Sequence, residues 1–311
     1  MHRHIRKLVG SAASPLWANR YIRALFAYHL YRRWIARSEA TVALRRRPEA
    51  LDEPYWMGKL RQYAHVMDKG IHRNDFSQGH GTAAYQLATE ALSHLRSSAA
   101  LSDPSVAWAT RKIRQYEELQ SGKGTRDTSV YVRTVCRYEA LVDAIKTRRC
   151  IREFLDRPVE DQVIDQITDV VDWSPTSCSR QPARVYATNN PALVRTCVAL
   201  HHGAACFSEI YAPLFMTFCA DTRVYDMPGE MATPYIDVAL GVQNCLLVAH
   251  TLGLSLTLLS WAFHSDAQEQ ALRKLFGIPG YLEIIVSTVG GYPRGGAEVP
   301  ARKAKELSIV K

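Results

Sequence analysis

The stretch IKTRRCIREFLDRPV carries Arg148, Arg149 and Arg152 within five positions of a segment that is apolar at Ile151, Phe154 and Leu155. A guanidinium stays charged at any physiological pH and presents a fork of N–H donors that matches phosphate or carboxylate oxygens. Beside apolar neighbours, three of them are either a solvated patch or a holder for an anion. A helical pattern over 135–148 leads into them. If it continues, 148 and 152 share a face and 149 sits about 100° away. A second stretch, SPTSCSRQPARVY (174–186), reads as a Pro-bounded loop entering a strand. Short side chains at Ser177 and Ser179 leave the backbone of this loop open to close approach.

Other reactive residues form no constellation. The seven cysteines are scattered, odd in number and without a CxxC or CxxH spacing, so they read as free thiols rather than disulfides or metal ligands. His65, His72 and His80 have no HxxxH pairing and no acidic cluster nearby, and read as loop or surface residues. Asp237 and His250 fall on one helix 13 residues apart and cannot form a dyad within it. No metal site is expected.

The elements that must position these residues follow from periodicity. Helices are expected at about 55–69, 82–97, 135–148 and 158–173. The last has Val159, Val163, Ile164, Ile167, Val170 and Val171 at helical spacing. Strands are expected at 183–188, 213–221, 255–261 and 282–293. TPYIDVALGVQNCLLVAHTLGL (233–254) opens with a candidate cap at Thr233 and Pro234 in the first turn. It is apolar nearly all round, as for a central helix or one at a subunit interface. The charged, Pro-containing RRRPEALDEP (45–54) and the Gly/Ser/Thr-rich LQSGKGTRDTS (119–129) are breaks. They divide the chain into a basic helical arm (1–50), a helical extension (51–130) and a main α+β domain (131–311).

The formal charge of +9 is uneven. The first fifty residues hold 11 basic and 2 acidic side chains; the rest hold 28 of each. The basicity belongs to an arm and not to a nucleic-acid-binding body. Trp17, Tyr21, Leu25 and Tyr28 recur on one helical face that Arg32 interrupts. The arm is read as a helix packed on its own or a neighbouring subunit, with peripheral membrane contact through residues 16–37 as the second reading. No stretch of about 18 uncharged apolar residues occurs, and the N-terminus lacks a signal-peptide core, so a cytoplasmic location is expected.

Taken in order, five segments resemble the nitroreductase family: RRCIREFLDRPV (148–159), SPTSCSRQPARVY (174–186), DVALGVQNCLLVAHTLGL (237–254), LRKLFGIP (272–279) and VGGYP (289–293). The resemblance covers about residues 140–305. It implies an α+β fold, a three-layer α/β/α sandwich, here with a mainly helical N-terminal extension. It implies FMN at a homodimer interface and hydride from NAD(P)H passing to flavin N5 and on to a small-molecule acceptor such as a quinone or nitroaromatic. The flavin carries the chemistry, so no catalytic side chain is implied. Carried over by position, Arg148, Arg149 and Arg152, with Cys150 among them, would hold the phosphate and ribityl chain. Ser177, Ser179 and Gln181 would meet the ring from the partner subunit. Ser260 and Trp261, in LLSW, would bring backbone near its reactive edge. Arg302 and Lys303, or else Arg294, would add a basic contact to the phosphate.

Three residues depart from the family pattern. Cys150 stands for serine, Ser179 for asparagine and Ala183 for tryptophan, which puts the usual substrate preference in doubt. AHVMDKGIH (64–72) and the SCSRQP form of the loop are similar to a longer subgroup associated with bacterial polysaccharide assembly. The alternative reading is therefore a non-enzymatic or membrane-peripheral component of a polysaccharide biosynthesis system that retains the fold.

Overall fold

The computed structural model describes residues 20–73, 76–124, 134–201, 212–259, 261 and 264–309. It has two compact units, one of residues 1–52 with 225–231, the other of residues 53–224 with 232–311. In the first, helix α1 (Arg20–Arg45) is followed by a 3-10 turn at Pro48–Ala50. Tyr21, Tyr28 and Tyr31 are exposed on α1, and the Arg32 guanidinium lies 5.9 Å from the Tyr28 ring centre. Trp17 and residues 16–19 of the arm lie outside the described residues. Among the described residues, no helix is long and apolar enough to cross a membrane.

The second unit begins with helices α2 (Glu53–Ile71), α3 (Thr82–Ser93), α4 (Ser98–Leu101) and α5 (Pro104–Gln120). Asp103 caps α5 by accepting from Ser105 N (2.7 Å), with Pro104 in the first turn. The alternating part follows: α6 (Tyr138–Thr147), α7 (Asp161–Thr168), β1 (Ala183–Thr188), α8 (Pro191–Ala199), β2 (Leu214–Asp221), α9 (Thr233–Thr251), β3 (Ser255–Leu259), α10 (Asp266–Phe276) and β4 (Leu282–Gly291).

The four strands form an antiparallel sheet in the order β1-β2-β4-β3. Strand alternation sends β2 side chains to two cores. Leu214, Met216, Phe218 and Ala220 face α7 and α9; Phe215 and Cys219 face α8 and α10. Helices thus cover both faces, giving the three-layer α+β arrangement. A bulge leaves Ile285 of β4 without a partner between Phe218 and Cys219.

Three local readings need correction. The helix before the arginines stops at Thr147, and Arg148 is already extended (φ −54°, ψ 131°), so the arginines are not on a helix. The span 158–173 divides into α7 and a 3-10 turn at Val171–Trp173. Thr233 is the first helical residue of α9 and not its cap: Ala232 before it is already right-handed, which leaves no extended residue to supply a side-chain cap. α5, α8 and α10 were not anticipated.

Candidate functional site

The arginine segment crosses the face of β3 as extended chain. Ser255 Oγ accepts from Ile151 N (3.0 Å) and donates to Arg149 O (2.9 Å), and Thr257 Oγ1 donates to Ile151 O (2.8 Å). Two hydroxyls spaced by two on one strand thus satisfy the segment's backbone where no ladder does. Ile151 and Phe154 then anchor it in the core. Farther on, Leu155 N donates to Tyr292 O (2.8 Å), Arg294 N to Glu153 O (3.0 Å) and Arg294 Nε to Phe154 O (3.3 Å). Glu160 closes this end: it accepts from Arg157 Nη2 (2.9 Å) and from the Tyr292 hydroxyl (2.7 Å). Those bonds hold its carboxyl down at about 2, well below the usual carboxylate range.

The extended backbone separates the three guanidinium groups. Arg148 is half-buried and reaches Cys150 Sγ (3.5 Å). Arg152 is exposed. Arg149 turns back, its Nη1 donating to Lys146 O (2.6 Å) and Arg148 O (2.8 Å), where it satisfies carbonyls left open at the end of α6. Arg148 and Arg152 can therefore meet an anion, while Arg149 closes a helix.

The loop 176–181 is built differently. Cys178, Ser179 and Gln181 all have left-handed backbone, with φ of 51°, 55° and 49°. Such conformations cost non-glycine residues roughly 1–3 kcal/mol each and persist only where the surroundings over-determine them. Gln181 also precedes Pro182, a further restriction. Several bonds hold the loop. Asp237 on α9 accepts from Ser177 N (3.0 Å), Thr176 Oγ1 accepts from Gln181 N (3.2 Å), and Asp221 N donates to Pro182 O (2.9 Å). The buried Arg180 donates to Ser177 Oγ (3.1 Å).

The two halves meet α9 at different points. The loop binds Asp237, whereas Thr147, at the mouth of the arginine segment, pairs with His250 Nε2 (2.9 Å). Thirteen residues of helix separate those anchors, about 20 Å. Within one chain the loop and the start of the arginine segment are thus tied to opposite ends of α9. Two apolar faces are uncovered nearby. One is Ile236 and Leu240 on α9, the other Leu141 and Ile145 on α6; Trp173, just ahead of the loop, is 81% exposed.

The remaining candidates diverge. Trp261 is 9% exposed, with His264 stacked on it at 4.2 Å and His201 tilted against it at 4.6 Å, so its ring is part of the core. Ser260 lies outside the described residues. Arg302 and Lys303 sit on the exposed segment after β4 with local partners, the Pro300 and Ala301 carbonyls and Glu306. Arg294 is instead tied to the arginine segment. Among the described residues, no group of three or more His, Cys, Asp or Glu could hold a metal. The sequence reading missed Asp237, Ser255 and Thr257 as positioning groups. Asp237 had a signal, being the one acid on a long apolar helix.

Residues 145–292 match the family model described as "Nitroreductase family". A relative from Methanothermobacter thermautotrophicus, provisionally named NADH dehydrogenase/NAD(P)H nitroreductase, is 29% identical over 49% of this chain and 77% of its own length. The FMN reductase [NAD(P)H] of Bacillus subtilis is 24% identical over 49% of this chain and 66% of its own. The crystal structure of a nitroreductase with bound FMN from Desulfitobacterium hafniense aligns with a TM-score of 0.45 and 17% identity, over 55% of this chain and 97% of that one.

Proposed function

We propose, from the match of residues 145–292 to the nitroreductase family model, that the protein is an FMN-dependent NAD(P)H oxidoreductase that acts as a homodimer with two composite sites. The observation that carries this reading is the division of the site along α9. One chain holds a segment suited to a phosphate and a strained loop suited to a flat ring, anchored on α9 at points about 20 Å apart. A second copy related by a two-fold axis would bring the loop of one chain to the arginines of the other. The uncovered Ile236, Leu240, Leu141 and Ile145 support such a contact.

The residues fit FMN in the following sense. Arg148 and Arg152 have guanidinium groups available to a phosphate, and Cys150 between them is small enough to let the ligand approach. Arg149 is committed to carbonyls and is left out. Ser177 and Ser179 present short side chains where a ring would lie against backbone. When bound, FMN supplies the hydride chemistry between a nicotinamide and an oxidised acceptor. The chain's part is to neutralise the phosphate, orient the ring and keep the face open to one planar partner at a time. No side chain in either half is placed as an obligatory acid or base.

The test is the visible spectrum of protein purified without added cofactor, followed by anaerobic addition of NADH or NADPH, with the mass measured by light scattering. Flavin bands that bleach in a dimer support the reading. Bands that persist would remove the nicotinamide. No bands after FMN is supplied, or a monomer, would overturn the composite site and favour a non-enzymatic role.

A further inference from the structure

The helical extension lies outside the residues that match the family model, yet α2 packs against the strained loop. Gly58, in the middle of α2, faces Val224 and the Arg180 carbonyl. A Cβ at this position would run into Val224 Cγ1 and stand 4.0 Å from Arg180 O. Next to it, the buried Lys59 donates to Val224 O (3.3 Å) and Gln62 Oε1 (3.2 Å). One turn on, Arg61 is fixed by Asp103 (3.0 Å) and Ser105 (2.8 Å) of α5. Its charge interacts with that of Asp172, just ahead of the loop, and of Arg184, just after it. A mid-helix glycine destabilises a helix relative to alanine. Close approach to Val224 is the reason a mid-helix glycine stands here.

We infer that α2 is a brace for the loop 176–181, and that Gly58 is a positioning residue whose missing Cβ sets how deeply the loop seats in the composite site. The inference rests on the function proposed above for its catalytic readout, but not for its structural one. The left-handed residues Cys178, Ser179 and Gln181 need support from more than one side. Asp237 supplies it from α9, Asp221 from β2, and α2 from a third side, through its packing on the loop and on Val224. The extension would then tune the ring-facing half of the site while leaving the phosphate-facing half on β3 untouched.

The test uses the full-length protein in four forms: wild type, Gly58→Ala, Val224→Ala and the double variant. Alanine at 58 collides with Val224 Cγ1, and Val224→Ala removes that methyl, so the double variant should restore the fit. Hydrogen exchange over peptides spanning 174–182 should be about tenfold faster in Gly58→Ala, in line with the cost of overpacking, and return toward wild type in the double variant. Peptides over 148–157 should not change. In the flavin-loaded enzyme, Gly58→Ala should raise KM for a quinone acceptor several-fold and alter the visible circular dichroism of the flavin, with kcat for NADH oxidation at saturating acceptor held within about twofold. Unchanged exchange in the loop would overturn the brace. Faster exchange with unchanged KM and dichroism would reduce Gly58 to a packing residue and overturn its positioning role. If the wild type binds no flavin, the function proposed above fails, and loop exchange alone decides the brace. Should Gly58→Ala not fold, Val224→Ala and the double variant decide: loop exchange raised in the first and lowered in the second supports the brace, and equal exchange in both overturns it.

Discussion

The arginine segment and the loop 176–181 are two halves of one proposed site made by opposite means. The arginine segment is relaxed extended chain whose backbone is satisfied by hydroxyls of β3 and whose side chains carry the chemistry. The loop is strained backbone whose side chains are small and whose shape carries the chemistry. A charged half can rely on a few guanidinium groups, which tolerate small shifts. A shaped half must be held rigid, and so it draws on α9, β2 and α2 together. The difference teaches that substitution should act on the first through binding strength and on the second through geometry.

The largest effect should come from removing the loop's anchor. Asp237→Ala leaves Ser177 N without its acceptor in a partly buried setting, and should lower stability by about 1–3 kcal/mol, readable by urea denaturation. A loss below 0.5 kcal/mol would mean that the loop holds its shape without α9. On the arginine side, Arg148→Gln should weaken FMN binding roughly ten- to hundredfold by fluorescence titration, whereas Arg149→Gln should weaken it less than about threefold. Equal losses would erase the distinction drawn from the carbonyl bonds of Arg149. Ser255→Ala removes the bridge between Arg149 O and Ile151 N and should cost about 1–2 kcal/mol of stability, with faster exchange confined to 148–157. If the loop peptides also loosen, the halves are not independent.

The smallest effect concerns Glu160, at the far end of the arginine segment. Its folded carboxyl is held at about 2, below an ordinary value of 4.5, by bonds from Arg157 and Tyr292. A depressed carboxylate contributes stability that is complete above pH 4.5 and is lost as pH falls toward 2. Because the group is exposed, the effect is small: Glu160→Gln should flatten the acid slope of the melting midpoint within that window and leave midpoints above pH 5 unchanged.

Much of the fold was legible from the chain. Strand limits at 183–188 were read to the residue, because Val185, Tyr186 and Thr188, all strand-favouring types, fall together there between Pro182 and Asn189. The short helices α8 and α10 escaped notice. α8 carries only two fully buried side chains, too few for a periodic signal, although Asn190 and Pro191 mark its start. The site was half legible. Arginines announce themselves by charge and spacing. Left-handed backbone at Cys178, Ser179 and Gln181 has no such signature, because none of these residue types requires it.

What the sequence alone determined is a set of local and compositional facts: an arm that holds the whole charge excess, cysteines scattered without a pairing pattern, and ordered motifs that resemble the nitroreductase family. Each depends on residue type and spacing along the chain. The tertiary structure decided which arginine turns to a helix end, that the Trp261 ring is enclosed by imidazoles, that Ser177 and Thr147 are tied to α9 at points about 20 Å apart, and that Gly58 meets Val224 across 166 residues of sequence. These depend on which surfaces the packed helices and sheet bring into contact, and spacing along the chain carries no record of that.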